Sequence, residues 1–553
     1  MKWNIGVPRL LGTDETAMDF RRLLPEIRWQ SRLSPGSEPR VPTTAMAQCL
    51  IVDSSSSGSG ATRGASKLWW YGGLSLYAAA FLVYAETWAF TSDEGYHMLA
   101  AQLIAAGRIP YIDFCFPQTP LNAYWNAAWM RVLGGGWRVP HLLAALFTIG
   151  AVLNMADHVR RRFPVDGWRV AGATMTALAM ALNGPVWVYG PLQAYGICLF
   201  GMVAGFRLAI RAVERDGWLP SAAVGLCAGV AAASSLLSAA AAPVLLCWML
   251  YHRAGRRWKT FAAFALGISL PFVPVFWLFA RGPRQTWFNL FRYHAFFRRL
   301  YWPETTRHDL EMLTAWIDNG QALLLGLLAL GGLLYIVRQS GWPHAVKAQF
   351  YLCAWLAAAL YAEVGRAHPT FTRYFLLAVP FLAVLAAAGL FAVSRAFEAH
   401  RPRWPVLVLA VLFVLGLGKT LYDRRDIDTW AVNQRLAAKV DQVTLPNEPI
   451  FATEPVYFLT RRTPPPGYEL SYTHLVNLPP AEAALMHILN DTEVKRQLQS
   501  GMFATAYSCD DDDIANYGLK ALYKQHVDME DCTIFWDRNV GQASRPVQPE
   551  IAK

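Results

Sequence analysis

The chain has 553 residues, of which 54% are apolar and only 16% charged, and its formal net charge is +11. A soluble globular protein carries about 25% charged residues, so this composition argues against a cytosolic enzyme and excludes a disordered chain or a fibre. Residues 421–553 hold a net −6 and residues 1–420 a net +17, as expected of a basic, apolar membrane body followed by an acidic, water-exposed part, with no nucleic-acid partner required.

In chain order, residues 1–66 are polar, broken by prolines, and end in Ser54-Ser55-Ser56-Ser57-Gly58-Ser59-Gly60. This is linker composition, expected as a disordered cytoplasmic segment without the apolar core of a signal peptide. Residues 67–420 read as the membrane body. A membrane-crossing helix needs roughly 20 apolar residues, and the stretches 68–90, 138–158, 169–188, 191–210, 260–281, 320–338, 347–364, 371–394 and 403–418 qualify. The stretch 219–251 is too long for one helix and short for two. Ser234, Ser235, Ser238 and Pro243 inside it predict a tight hairpin of two short spans.

The positive-inside rule fixes the parity. Arg160-Arg161-Arg162, Arg207/Arg211/Arg215 and Arg253/Arg256/Arg257/Lys259 belong on the cytoplasmic side, so the chain crosses an even number of times between Arg215 and Arg253. Residues 119–133 place Leu121, Tyr124, Trp125, Ala128, Trp129 and Val132 on one helical face, which predicts an amphipathic helix lying in the interface. The expected fold is an α-helical polytopic membrane protein of about 11 transmembrane helices, with interfacial helices in the first external loop. Its N-terminus is cytoplasmic and its C-terminus outside the inner (plasma) membrane. Residues 421–553 are expected as a small α/β extracytoplasmic domain, with β-like runs at 449–452, 502–505 and 533–536. An oxidising outer compartment would let Cys509 pair with Cys532.

The first external loop reads Thr91-Ser92-Asp93-Glu94-Gly95-Tyr96-His97, then Ile109-Pro110-Tyr111-Ile112-Asp113-Phe114 and Phe116-Pro117-Gln118-Thr119-Pro120. Adjacent carboxylates at a membrane surface are costly unless used, and one held in a partly dry cleft suits taking a proton from an acceptor hydroxyl. Thr91-x-x-Glu94 also reads as a capping box, and Asp113 as a turn residue. At the external mouth of the tenth span stand Arg366, Arg373 and Tyr374. An arginine there can clamp a phosphate bidentately or snorkel to the interface. Between residues 282 and 318, Arg284, Arg292, Arg298, Arg299 and Arg307 are interleaved with aromatics, as in an interfacial anchor or a guide for an anionic lipid.

Asp93-Glu94, Gly107-x-x-Pro110-Tyr111-x-Asp113-Phe114 and Pro117-x-x-Pro120 after the first span together resemble the GT-C glycosyltransferases. More narrowly, they resemble the bacterial relatives of protein O-mannosyltransferases, the lipid A aminoarabinose transferases and the Rgt-type sugar transferases. The resemblance implies a polyprenyl-phosphate sugar donor and a lipid, polysaccharide or protein acceptor at the outer face of the bilayer, with inverting displacement at the anomeric carbon. It makes Asp93 the general base, Glu94 its support, and Arg373, Tyr374 and Arg366 the donor phosphate site. Tyr96, His97, Asp113, Gln118 and Tyr124 are the candidate substrate-binding residues. Many such relatives carry a second acidic residue between the third and fourth spans. Here Tyr189-Gly190-Pro191-Leu192-Gln193-Ala194-Tyr195 has none, so neither a metal nor another cofactor is expected. The alternatives are a multi-pass transporter, which would place ionisable groups within its spans, and an O-antigen-type polymerase or ligase, which would leave Asp93-Glu94 unexplained.

Overall fold

Each apolar stretch named above is mostly helical, with a break at 182–183 inside 169–188, in the computed structural model, which describes residues 60–215, 217–298, 305–397 and 403–539. The expectation for residues 1–66 falls, up to residue 59, outside the described residues. An apolar environment offers the backbone no hydrogen-bond partner, so each apolar run must satisfy its amides internally, as a helix does.

Among the described residues, seven helices are long and apolar enough to cross a membrane: Arg138–Arg162, Tyr195–Glu214, Arg257–Arg281, Gly320–Arg338, His344–Arg366, Thr372–Ala396 and Trp404–Asp423. The 219–251 stretch forms two shorter apolar helices, Trp218–Ser234 and Leu236–His252. Helices also cover Gly60–Thr87 and Arg169–Ala181. The apolar window of Thr372–Ala396 is 83% buried, against 17% for that of Trp404–Asp423. The helix that opens with Arg373 and Tyr374 is therefore the centre of the bundle. It meets Gly320–Arg338 with the backbones almost touching: a Cβ on Gly332 would lie 2.0 Å from the Leu385 carbonyl oxygen, and one on Gly389 1.9 Å from that of Leu328. Only glycine fits at either position.

The labels used below are α1 (Gly60–Thr87), α2 (Glu94–Ala105), α3 (Leu121–Leu133) and α4 (Arg138–Arg162). The expected interfacial helix is α3. It buries Asn122, Ala123, Asn126, Ala127 and Met130 and leaves Val132 and Leu133 exposed. Its small and amide side chains pack inward while part of its apolar surface faces away from the protein.

Past the last long helix, the chain forms a four-stranded sheet of order β1-β2-β4-β3, comprising β1 (Ile450–Phe451), β2 (Thr505–Ser508), β3 (Tyr523–Met529) and β4 (Cys532–Arg538). β1 and β2 are parallel and the other pairs antiparallel. Cys509 and Cys532 form a disulfide between the end of β2 and the start of β4. The apolar core beneath this sheet is shared. Trp430, Val456, Tyr457, Phe503, Ile534 and Phe535 pack in one cluster with Phe90, Leu99, Tyr111, Phe114 and Phe116 of the first loop and with Trp137. At the closest approach a Cβ on Gly95 would lie 2.4 Å from Pro455 Cδ.

Carboxylates are buried along this contact, Glu469 among them. Glu469 is 1% exposed at its side chain and lies 3.3 Å from Arg108 Nη2, and its Oε2 accepts the Gly467 amide at 2.7 Å. Burial pushes its carboxyl up to about 7, against the opposing pull of backbone N–H groups and Arg108. A group raised from 4.5 to about 7 on folding stabilises the fold fully below the lower value and ceases to do so as pH rises through the upper one, a loss of about 3 kcal/mol. Glu469→Gln should flatten the decline in detergent-phase melting temperature between pH 5 and pH 7.5. An unchanged pH slope in the variant would show that Glu469 does not titrate there.

Candidate active site

Asp93 and Glu94 stand where the α1–α2 connection turns into α2, and the turn sends their carboxylates in different directions. Asp93 adopts φ −63° and ψ −17° ahead of the first helical turn and makes no side-chain capping bond. The capping box does not form. Thr91 Oγ1 instead accepts from Gln193 Nε2 at 3.3 Å, and Glu94 turns inward to full burial. Glu94 Oε1 lies 2.6 Å from His141 Nε2, and Oε2 accepts from Trp430 Nε1 at 3.1 Å. His141 Nδ1 donates to the Ala85 carbonyl at 2.6 Å. The Trp430 ring stacks on Trp137 with centroids 5.6 Å apart.

Asp93 faces a cavity of about 950 Å³, within the range of small-ligand sites. Its carboxylate pairs with Arg373 Nη2, contributed from 280 positions further along the chain. The Arg373 guanidinium carbon lies 4.3 Å from the Phe371 ring centroid and 5.6 Å from that of Tyr374, so both rings face the cation. Its Nε is buried and has no hydrogen-bond partner among the described residues. A guanidinium has five N–H donors, so Arg373 can hold Asp93 and still offer donors to an anionic oxygen.

Of the residues predicted from sequence, Asp93, Tyr96, His97, Gln118, Arg366, Arg373 and Tyr374 line this cavity. Glu94, Asp113 and Tyr124 do not, which corrects their expected placement. Glu94 has no exposed atom with which to meet a substrate. Asp113 closes a turn, its Oδ2 accepting the Ile109 amide at 2.7 Å. Tyr124 packs against the shared core beside the first-loop aromatics.

Several cavity residues were not singled out by sequence as site residues: Tyr195, Tyr293, His294, Arg298, Glu363, His368 and Tyr472. Arg298 donates to the Tyr374 hydroxyl at 3.3 Å, and the arginine–aromatic composition of its loop is the signal that marks it. Arg299, its neighbour, lies outside the described residues. Tyr472 comes from the C-terminal part and reaches the cavity only through tertiary packing, which no local pattern announces.

Two of the cavity's histidines, His97 and His294, are held neutral. Burial, then the nearby Arg373, pulls His97 down to about 3. Burial and Arg298 pull His294 to about 4, although its Nε2 donates to the Pro117 carbonyl at 2.8 Å. Burial and the Asp93 charge hold the Tyr96 hydroxyl far above its usual range, so it remains a donor. The acidic and basic side chains that line the cavity are Arg298, Arg366 and Arg373 against Asp93 and Glu363, a small positive excess suited to one anionic group. No set of three or more histidine, cysteine or acidic side chains that could hold a metal ion occurs among the described residues.

No family model and no curated protein matches the chain. Among solved structures it is similar to the crystal structure of ArnT from Cupriavidus metallidurans bound to undecaprenyl phosphate. The two share 16% identity and a TM-score of 0.62, over 87% of this chain and 99% of that one. Two structures of the archaeal oligosaccharyltransferase from Archaeoglobus fulgidus, one with zinc and sulfate and one with an inhibitory peptide and a dolichol-phosphate, also match. Both share 13% identity, with TM-scores of 0.46 and 0.42. They cover 80% and 81% of this chain and 69% and 70% of their own. The ArnT likeness spans nearly the whole of both chains, and it is a likeness of fold.

The inward lock of Glu94 can be tested directly. Glu94→Ala strands a buried histidine and an indole N–H, and should cost about 3–5 kcal/mol in thermal unfolding. Glu94→Gln keeps an acceptor for Trp430 and offers an N–H to His141, so fold and activity should survive. A folded but inactive Glu94→Gln would return this residue to the chemistry.

Proposed function

We propose that this protein is a membrane glycosyltransferase that moves a sugar from a polyprenyl-phosphate donor to an acceptor at the outer face of the membrane. The observation that carries the reading is the pairing of Asp93 with Arg373 in a cavity that also holds Arg366 and Arg298. A carboxylate and a cluster of guanidinium groups in one partly dry space are the two things this transfer needs. The acceptor oxygen bonds to the anomeric carbon as that carbon's bond to the phosphate oxygen breaks. The acceptor's proton goes to Asp93, and the electron pair stays on the phosphate, held by Arg373 and Arg366. Backside attack inverts the anomeric centre. A phosphate leaves as a stable anion, so the site needs no strong general acid. The ArnT structure, itself bound to undecaprenyl phosphate, supports this donor class. Leu236, Leu237, Leu290 and Phe291 supply apolar wall for the first isoprene units.

In this reading Gly60–Thr87, Arg169–Ala181 and the two hairpin helices cross together with the seven long ones, eleven crossings in all. An odd number puts the termini on opposite sides, the positive-inside rule assigns the N-terminus to the cytoplasm, and the Cys509–Cys532 disulfide is then chemically at home outside. The cavity's charged groups sit in loops and at helix ends rather than at helix midpoints, which favours surface chemistry over transport.

With purified protein and labelled polyprenyl-phosphate sugars, Asp93→Asn should lower turnover at least about 100-fold while leaving donor binding intact. Arg373→Ala should weaken donor binding about 10-fold or more. Full turnover by Asp93→Asn would remove the general-base assignment. Independently, a C-terminal alkaline phosphatase fusion should be active and a C-terminal cytosolic-type fluorescent fusion dark. The reverse pattern would overturn the eleven-crossing topology.

A further inference from the structure

The loop that leads into the central helix carries an imidazole–carboxylate pair with no part in the reaction just described. His368 lines the cavity, in the short loop between the helix that ends at Arg366 and the one whose first turn holds Arg373. Its Nδ1 bonds to Asp309 Oδ2, and Asp309 Oδ1 accepts the Thr370 amide at 2.7 Å. Asp309 belongs to the helix Thr305–Asp318, so this carboxylate is tied both to the imidazole it orients and to that imidazole's own loop. An ionised carboxylate only accepts, which puts the hydrogen on Nδ1 and leaves Nε2 as the ring nitrogen available to a ligand. Nε2 has no hydrogen-bond partner among the described residues, and the side chain remains 23% exposed.

We infer that His368, oriented by Asp309, is a further catalytic residue, which donates a hydrogen bond from Nε2 to a phosphate oxygen of the lipid donor and holds that group as it leaves. The inference rests on the donor proposed above. Three features favour a donor role over a second base. The base position is filled by Asp93, across the cavity's ion pair. His368 lies between Arg366 and Arg373 in the sequence and lines the same cavity as both. Arg373 is already shared with Asp93, so the negative charge that grows on the departing oxygen needs another directed donor. Donation from Nε2 with Nδ1–H held by Asp309 requires the ring to carry both hydrogens, and the Asp309 carboxylate offsets the positive charge of that imidazolium. No extra proton is consumed. The acceptor's proton goes to Asp93, the electron pair of the broken bond rests on the phosphate oxygen, and His368 donates to that oxygen without giving up its hydrogen.

The test uses the full chain in detergent, with undecaprenyl phosphate and undecaprenol as probes that differ only in the phosphate. Wild type should bind the phosphate far better than the alcohol. His368→Gln should weaken phosphate binding about 10-fold or more and leave alcohol binding unchanged. Asp309→Asn keeps an oxygen for the Thr370 amide but turns an NH₂ toward Nδ1, which removes the charge that stabilises the imidazolium yet leaves the neutral ring an Nε2–H donor, so it should weaken phosphate binding measurably but less than His368→Gln does. The double variant should lose no more than His368→Gln alone. Should His368→Gln fail to fold, Asp309→Asn reads the same pair. If wild type does not prefer the phosphate, the donor reading falls and this inference with it. If wild type prefers the phosphate and both variants keep that preference, only the His368 role is overturned. Equal losses of phosphate and alcohol binding would mark the pair as structural and overturn it too.

Discussion

The Glu94 carboxylate, wholly removed from water, sits against the imidazole of His141 and takes a hydrogen bond from the indole of Trp430, 336 positions further along the chain. A buried carboxylate without partners would be strongly destabilising, so these contacts are obligatory rather than incidental. They fasten three parts of the molecule at one point: the start of α2, the helix Arg138–Arg162, and the segment that precedes the sheet. Gly95, the next residue, allows the backbone to approach Pro455 where any side chain would collide. With Glu94 pinned inward, the preceding residue has one direction left, and Asp93 is delivered to the cavity.

The electrostatics of that cavity follow from burial as much as from charge. Histidines that would be partly protonated in water are held neutral there, and the tyrosine hydroxyl of Tyr96 is kept protonated. The remaining charges are a few carboxylates and guanidinium groups in a low-dielectric space, where each pairing is worth more than it would be in water. Under the proposed reaction, an arriving phosphate shares Arg373 with Asp93, so the donor and the base are aligned through one guanidinium.

Much of this architecture can be read directly from the amino-acid order, for identifiable reasons. Long apolar runs have one conformation open to them, so the helices are plain. The serine-broken hairpin within 219–251 resolves into two short helices because 33 residues cannot make two full-length ones. The site is half legible. Asp93 and Arg373 stand out as charges placed against their surroundings, and they meet. Glu94 has the same local character as Asp93, and only a long-range partner, Trp430, decides that it faces inward. Asp113 and Tyr124 share the first loop with the site yet serve a turn and a core. Tyr472 and His368 carry no local mark at all. β3 is missed for a related reason: Lys524, Gln525 and His526 face water, which leaves too little apolar alternation to announce a strand.

The core shared between the first loop and the C-terminal sheet also sets an order of assembly. Phe90, Leu99, Phe114 and Phe116 are synthesised early, but Trp430, Phe503 and Phe535, against which they pack, emerge only after all the long helices. Until then these early side chains have no lasting cover, and the nascent chain carries a sticky apolar surface through most of its biogenesis. Closure of such distant contacts is slow. A ribosome that stalled before residue 430 would therefore release a protein with a complete set of long helices, a misdirected Asp93 and an exposed aggregation site.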